Sequence, residues 1–345
     1  MHCDRRLFLR NLTLAVLASQ LPLKVKANYQ PKSVIKPLRL KVGDTVGLIS
    51  PASPINAADI EPVVQTLASL GLKAKLGKHI LDRYGDIAGK DSDRAADVNQ
   101  MFADTSVSAI LPMRGGWGCN RILPLLDYDL IRPHPKIIIG YSDITSLLLA
   151  IYARCGFVTF HGPVGTSTWN SFSRDYFKQI IFDSKAVTFQ NPINGDNLNS
   201  TTIKVETITP GKARGRLIGG NLSVLTAMIG SAYLPSWQQK ILFLEEVGED
   251  IYRVDRMLTQ LKLAGILQQI SGFIFGQCTN CSPGKDNQSL PLPEILLNHI
   301  QPLGIPAWYG SMIGHIKDKF TLPVGVLVEI DANTGTIQML EQAVS

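Results

Sequence analysis

The sequence predicts an α/β fold, a mostly parallel sheet with helices on both faces, and three observations carry that reading. Short apolar runs that read as buried strands alternate with stretches of helical periodicity through the first half of the chain. The joints between them are rich in glycine, proline, serine and aspartate, the residues that turns require. The chain has 345 residues, 45% of them hydrophobic and 18% charged, which suits a folded enzyme of two packed domains and excludes a disordered chain.

The first 27 residues stand apart. Arg5-Arg6, Phe8-Leu9, an apolar stretch from Leu12 to Leu23, and Val25-Lys26-Ala27 resemble a twin-arginine export signal with a peptidase cleavage site. Thr13, Ser19, Gln20 and Pro22 interrupt the apolar stretch, which falls short of the roughly 20 residues a spanning helix needs. Met1–Ala27 is therefore expected to be cut after Ala27, leaving an exported, periplasmic protein with no stable membrane insertion. The segment carries five of the basic residues and one acid, so the formal charge of +6 falls to +2 without it. That remainder is too small to argue for nucleic acid or a membrane surface as partner.

The elements then follow in order. "DTVGLIS", inside Leu40–Pro54, reads as a strand running into a Ser-Pro loop. Ala57–Leu70 has helical spacing and stops at Gly71, a good C-cap. "GLKAKLG" is the next strand, Asp91–Asp104 a helix with Ala95, Val98 and Phe102 on one face, and "VSAILPM" a short buried strand. "PKIIIGYSD" is a strand and "ITSLLLAIYARCG" the helix after it. From Ser171 to Thr202 the pattern weakens into Asn, Asp and Ser, an expected interdomain connection between a domain at 38–170 and another at 203–345. In the second half, the glycines of "GRLIGGNLS" lack the lysine and the spacing of a phosphate loop, and close packing at a helix start accounts for them better. "KILFLEEVGED" is a buried strand ending in acids. "DIYRVDRMLTQLKLAG" is an amphipathic helix with Val254, Leu258 and Leu261 on one face. "SGFIFGQC", "PAWYGSMIGH" and "GVLVEIDANTGTIQML" supply further strands, the last a hairpin about Asn333-Thr334-Gly335.

Chemistry concentrates at a few joints. Ser142 in "GYSD" sits between strand and helix, where its oxygen can cap the helix or act as a nucleophile beside free N–H groups, and propensity alone favours the cap. It lacks the second glycine of a Gly-x-Ser-x-Gly elbow. His161 in "TFHGP" and His315 in "MIGHIKDK" end apolar runs, where strands present functional groups. His79, His134 and His299 read as surface or turn residues. Glu245 ends "ILFLE", where a carboxylate drawn toward a buried strand needs a partner; Glu246, Glu249 and Asp250 read as a solvated acidic turn. Cys278 and Cys281 in "CTNC" lack a second pair or a histidine at finger spacing, so a structural role outweighs a metal or redox one. Folding in the reducing cytosol before export would make disulfides unnecessary to the fold.

"MRGGWGCNRILPLLDYDLIRPHPKIIIGYSDITSL", "TFHGP", "GRLIGGNLSVL", "LFLEEVGEDIYRVDRML" and "GHIKDKFTLPVGV" together resemble the LD-carboxypeptidases, serine peptidases that also include the microcin C self-immunity proteins. The resemblance runs in the same order from about Val42 to the chain's end. It implies a Rossmann-like or flavodoxin-like N-terminal domain carrying the nucleophile and a mainly β, barrel-like C-terminal domain with helices, meeting at a cleft. By position it implies Ser142 as nucleophile, His315 as base, Glu245 as the acid that orients it, and an oxyanion hole from the N–H groups of Gly116 and Asp143. It implies no metal and no cofactor, a homodimer, and a murein tetrapeptide substrate cut before its terminal D-alanine. Removal of an amino acid or its conjugate from a peptide-nucleotide antibiotic is the nearer alternative; a non-catalytic periplasmic solute-binding protein is the alternative from another class. Trp117, Glu246 and Ile316 depart from the family's usual residues, and the last two bear on substrate preference more than on chemistry.

Overall fold

A computed structural model of the chain describes residues 34–192, 203–284 and 289–345. The expected export segment, Met1–Ala27, lies outside the described residues, as does the end of the expected connection at 193–202.

The strands, in chain order, are β1 (Thr45–Ile49), β2 (Lys73–Leu76), β3 (Ala109–Pro112), β4 (Ile137–Gly140), β5 (Thr159–His161), β6 (Thr188–Phe189), β7 (Glu206–Thr209), β8 (Lys212–Asn221), β9 (Lys240–Val247), β10 (Gly272–Thr279), β11 (Ala307–Tyr309), β12 (Leu322–Val324), β13 (Leu327–Asp331) and β14 (Thr336–Met339). Six form one sheet in the order β12-β5-β4-β3-β1-β2, in which β1 to β5 run parallel. All-apolar segments such as "AILP" and "IIIG" are buried on both faces here, as central parallel strands are. The predicted α/β class therefore holds. Helices Ile60–Ser69, Asp91–Ala103 and Thr145–Cys155 make the crossovers, and the last ends where Gly156 takes a left-handed φ of 79°.

The second sheet has eight strands in the order β6-β14-β13-β8-β9-β10-β11-β7. It is the β-rich part expected of the C-terminal half, with a finer feature: its centre, β8-β9-β10-β11, is parallel, and antiparallel strands flank it. The crossovers are helices Leu222–Thr226, Ile251–Leu263 and Leu292–Ile300, and Val254, Leu258 and Leu261 are buried as their spacing requires. The glycines of "GRLIGGN" lie in β8, and Gly219 and Gly220, packed close against Phe243 and Thr145, lead directly into the Asn221 N-cap of the helix that follows.

Two features differ from the expected division. The stretch expected to be a bare connection holds helix Ser171–Phe177, its π-helical continuation Lys178–Phe182, and β6. Asn170 caps that helix by accepting from the Ser173 N–H at 3.0 Å, and aromatic packing buries it: Phe172, Tyr176, Phe189 and Phe320 stack with centroids 4.8–5.5 Å apart. An aromatic cluster assembled from distant segments leaves no local periodicity to read. Secondly, β12 belongs by sequence to the C-terminal half, yet it pairs antiparallel with β5 at the edge of the N-terminal sheet. The chain thus crosses from one sheet to the other between β11 and β12, and His315 lies on that crossing.

Cys278 and Cys281 are joined as a disulfide with Cα atoms 5.5 Å apart, while Cys119 and Cys155 are buried free thiols. The "CTNC" pair is thus a covalent clip across the end of β10, with Cys278 inside the strand and Cys281 just beyond it. Among the described residues no helix is long and apolar enough to cross a membrane.

Candidate active site

The carboxyl ends of the parallel strands build the site, as they do in open α/β sheets generally. β4 ends at Gly140, where a side chain would lie 2.7 Å from Ile144 Cγ2, so only glycine lets the chain turn back this tightly. Tyr141 remains extended, and Ser142 opens a 3-10 turn with a left-handed φ of 63°. That conformation costs a non-glycine residue about 1 kcal/mol or more. Ser142 is the first residue inside this turn; the N-cap position falls to Tyr141, and no side-chain hydrogen bond caps the turn. The helix-cap explanation of "GYSD" is therefore set aside, and the serine is held in a strained turn with its hydroxyl uncommitted.

The Gly-Gly turn after β3 lies directly against it. A Cβ on Gly115 would fall 2.8 Å from Ser142 Cβ and 2.9 Å from its Oγ, and one on Gly116, at φ 125°, would strike Ser53. The Asp143 carboxylate, 4% exposed, accepts from the Cys119 N–H at 2.8 Å and so ties the end of the glycine turn to the serine turn. Burial pushes the Asp143 carboxyl above its usual range. Its own N–H belongs to the first turn of the helix, where amides lack intrahelical acceptors. Gly115, the neighbour of Gly116, and Asp143, the residue after the serine, thus lie on either side of Ser142.

From the other sheet, β9 delivers Glu245, fully buried, and His315 Nδ1 lies 2.8 Å from its Oε2. A protonated Nδ1 donates to the carboxylate at that distance, which leaves Nε2 as the basic nitrogen. Gly314, at φ 116°, permits this approach, since a Cβ there would lie 2.7 Å from the same oxygen.

Two contacts bring the halves together. The Tyr141 and His315 rings meet edge to face with centroids 4.7 Å apart. Asn221, paired with Glu245 across β8 and β9, donates its N–H to Thr145 Oγ1 at 3.0 Å, three residues beyond Ser142. Ser142 and His315 are thus linked through Tyr141 rather than by a direct hydrogen bond, and such bonds are often long without substrate.

Glu246 corrects an expectation. It is not part of a solvated turn but is 1% exposed, accepting from Asn221 Nδ2 at 3.0 Å and the Ser223 N–H at 2.8 Å. It holds the helix start after β8, and burial raises its pKa. His79, His134 and His299 are each engaged locally, by Asp82, the Leu130 carbonyl and Asp255. His79, Asp82 and Asp93 could present three ligand atoms to a metal ion, on the loop after β2 and the following helix.

Two residues gain weight from the structure. His161 is 2% exposed and neither ring nitrogen has a hydrogen-bond partner; burial pushes its pKa down to about 4. Lys319 is 4% exposed, with its ammonium 4.9 Å from the centre of the Tyr141 ring and its pKa lowered by burial to about 8. Nothing local in "HIKDK" singles out Lys319.

A serine in a strained strand-to-helix turn, backbone N–H groups beside it and a carboxylate-held imidazole together suit acyl transfer. Comparison with known proteins agrees. The LD-carboxypeptidase N-terminal domain profile matches residues 46–162, and the C-terminal domain profile matches residues 214–330. A protein of Bacillus subtilis (strain 168) named as a probable murein peptide carboxypeptidase is 39% identical over 303 residues, covering 86% of this chain and 90% of its own. A murein tetrapeptide carboxypeptidase of Pseudomonas aeruginosa is 32% identical over 295 residues, covering 84% and 93%. Among solved structures, MccF in complex with glutamyl sulfamoyl guanosine superposes with a TM-score of 0.81 at 28% identity, over 90% of this chain and 99% of the other.

Proposed function

Because the chain belongs to the LD-carboxypeptidase family and is a serine-type carboxypeptidase, we propose that it removes the terminal D-alanine from murein tetrapeptides through Ser142, His315 and Glu245. The single observation that carries the residue assignment is the hydrogen bond between Glu245 and His315 across the crossing to β12, set against the Tyr141-Ser142 turn. In this reading His315 Nε2 takes the Ser142 proton as Oγ attacks the carbonyl carbon, and Glu245 keeps the imidazole in the productive tautomer. The N–H groups of Gly116 and Asp143 stabilise the oxyanion, an effect of about 3 kcal/mol per donor in other serine enzymes. The tetrahedral adduct collapses as the imidazolium gives its proton to the departing amine of D-alanine. Water, deprotonated by the same imidazole, then releases the shortened peptide and regenerates Ser142.

The enzymatic class removes the solute-binding alternative. The relatives named for murein peptides favour the murein substrate, and we further propose that the twin-arginine-like leader exports the chain, which would bring it to that substrate. We also propose a homodimer, on the family resemblance. The experiment is mass-spectrometric analysis of purified muropeptides incubated with the chain beginning at Asn28. Loss of one terminal alanine is expected, and unchanged peptides would reject the murein substrate. The likeness to MccF bound to glutamyl sulfamoyl guanosine favours a second reading, cleavage of a peptide-nucleotide conjugate by the same residues. Turnover of such a conjugate with no alanine release would select it. Sequencing the amino terminus of protein recovered from the cell envelope tests the export proposal, and a mature chain that still begins at Met1 would refute it.

A further inference from the structure

We propose that Lys319 recognises the terminal carboxylate of the substrate, an assignment that rests on the carboxypeptidase reading above. A carboxypeptidase must tell a chain end from a chain interior. The feature only a chain end carries is a carboxylate on the residue that leaves.

Lys319 is 4% exposed, and its ammonium lies 4.9 Å from the centre of the Tyr141 ring. Among the described residues no carboxylate pairs with it. The Asp318 carboxylate beside it is bound by Asn170 and Glu245 Oε2 by His315, while Glu245 Oε1 has no hydrogen-bond partner, so both carboxylates act on Lys319 through space without pairing with it. Lys136, buried to a similar degree, shows how this protein ordinarily satisfies an interior ammonium: it donates to the carbonyls of Met101 and Asp104. Lys319 instead has an aromatic face, which attracts a cation without neutralising it. An ammonium so little solvated, whose two neighbouring carboxylates, Asp318 and Glu245, are each engaged by another group, gains when a further anion joins it. Burial lowers its pKa to about 8, so it still carries charge at neutral pH.

Its position fits the leaving residue. The loop carrying His315 and Lys319 is closed by the Phe320 N–H donating to the Met312 carbonyl at 3.0 Å. The Lys319 N–H donates to Ser173 Oγ at 3.2 Å, which pins the loop to the helix after β5. His315 and Lys319 both approach Tyr141, the neighbour of Ser142, at 4.7 Å and 4.9 Å from its ring centre. The departing amine must reach His315 for its proton, and its carboxylate carbon is two bonds from that nitrogen. The group that holds the carboxylate has to stand near His315, and Lys319 shares the Tyr141 ring with it. Arg114 is the competing cation, on the glycine-turn side, but it is exposed, where solvent screens its charge.

The test uses Ser142→Ala protein, so that ligand stays uncleaved, and calorimetric affinities for a murein tetrapeptide ending in D-alanine and for the same peptide ending in D-alaninamide. The acid is expected to bind roughly tenfold tighter or more than the amide. Adding Lys319→Met should make the two affinities equal, while Lys319→Arg should keep the preference; thermal melts verify that each variant is folded. Equal binding of acid and amide before any change at Lys319, no binding of either, or a preference that survives Lys319→Met overturns the proposal. So does a preference lost in Arg114→Met and kept in Lys319→Met. Failure of the functional reading looks different: wild-type protein that releases no alanine, with the acid preference intact and dependent on Lys319, rejects the reaction and leaves the carboxylate site standing.

Discussion

The ring of Tyr141 meets the imidazole of His315 edge to face at 4.7 Å, and this contact joins the end of β4 in one sheet to the crossing from the other. It sets His315 beside the turn that strains Ser142, whose φ is 63°. The strain and the proposed chemistry therefore fall on the same residue.

That coincidence gives the first prediction. Ser142→Ala keeps the Cβ and the strained φ, so its unfolding free energy should stay within about 0.5 kcal/mol of wild type while D-alanine release falls by about 10³-fold or more. Ser142→Gly should be equally inactive but more stable, by about 1 kcal/mol, because glycine relieves the left-handed backbone. Urea unfolding and coupled assay of D-alanine check both. A Ser142→Ala protein that turns over at the wild-type rate refutes the nucleophile.

Glu245→Gln preserves shape and removes the charge that faces His315 Nδ1 at 2.8 Å. The amide can hold the wrong tautomer, and loss of an equivalent carboxylate in another serine peptidase lowers kcat about 10⁴-fold. A fall of about 10²-fold to 10⁴-fold in kcat, with KM little changed, is expected from steady-state kinetics on the murein peptide. A change confined to KM would mean that Glu245 binds substrate instead of orienting the base.

How much of this was legible beforehand depends on whether a feature is local. Ser142, Glu245 and His315 each end an apolar run, and strand ends can be read from the runs themselves. Gly71 and Gly156 stopped their helices where helical periodicity ran out. The N-cap preference of serine pointed the wrong way at Ser142, because propensity does not know that Gly115 presses on its side chain. Glu246 looked solvated because its partners Asn221 and Ser223 come from the neighbouring strand end. The helix at Ser171–Phe177 was hidden for the same reason, since Phe320, far along the chain, completes its packing. β12 pairs with β5, and no periodicity in "TLPVGV" announces which sheet it joins.

His161 supplies a pH dependence of stability. Its folded pKa, pushed by burial to about 4, lies below the ordinary 6.5. Below about pH 6.5 the unfolded chain takes up a proton that the folded protein refuses, so this stability is complete above that pH. It is lost as pH falls toward 4, by about 3 kcal/mol over the window. Glu245, His315 and Lys319 face His161 and act on it in both directions. Asp97, Asp143 and Glu246, whose pKa values burial raises, oppose the trend across the protein. The informative quantity is therefore the difference between wild type and His161→Phe, which retains the ring packed 5.2 Å from Phe243. Urea unfolding at pH 7 and pH 4.5 should show wild type losing more stability than the variant. Parallel losses would mean that His161 is already protonated in the fold or gains a partner there.

Gly220 tests whether the two sheets must touch at the serine helix. A Cβ at this position would lie 2.5 Å from Thr145 Cγ2, and its φ is 149°, so a side chain meets both a steric and a backbone obstacle. Gly230 has the backbone obstacle alone, with φ 89° and nothing within 4 Å of an added Cβ. Gly230→Ala should therefore cost about 1 kcal/mol and leave turnover intact, whereas Gly220→Ala should cost about 2 kcal/mol or more, overpacking being added to strain. It should also lower kcat, because Thr145 accepts the Asn221 N–H at 3.0 Å and any displacement there reaches Ser142 through the same turn. Equal effects of the two substitutions on kcat would show that the contact between β8 and the serine helix contributes packing only, and that the Tyr141–His315 contact alone aligns the two halves of the site.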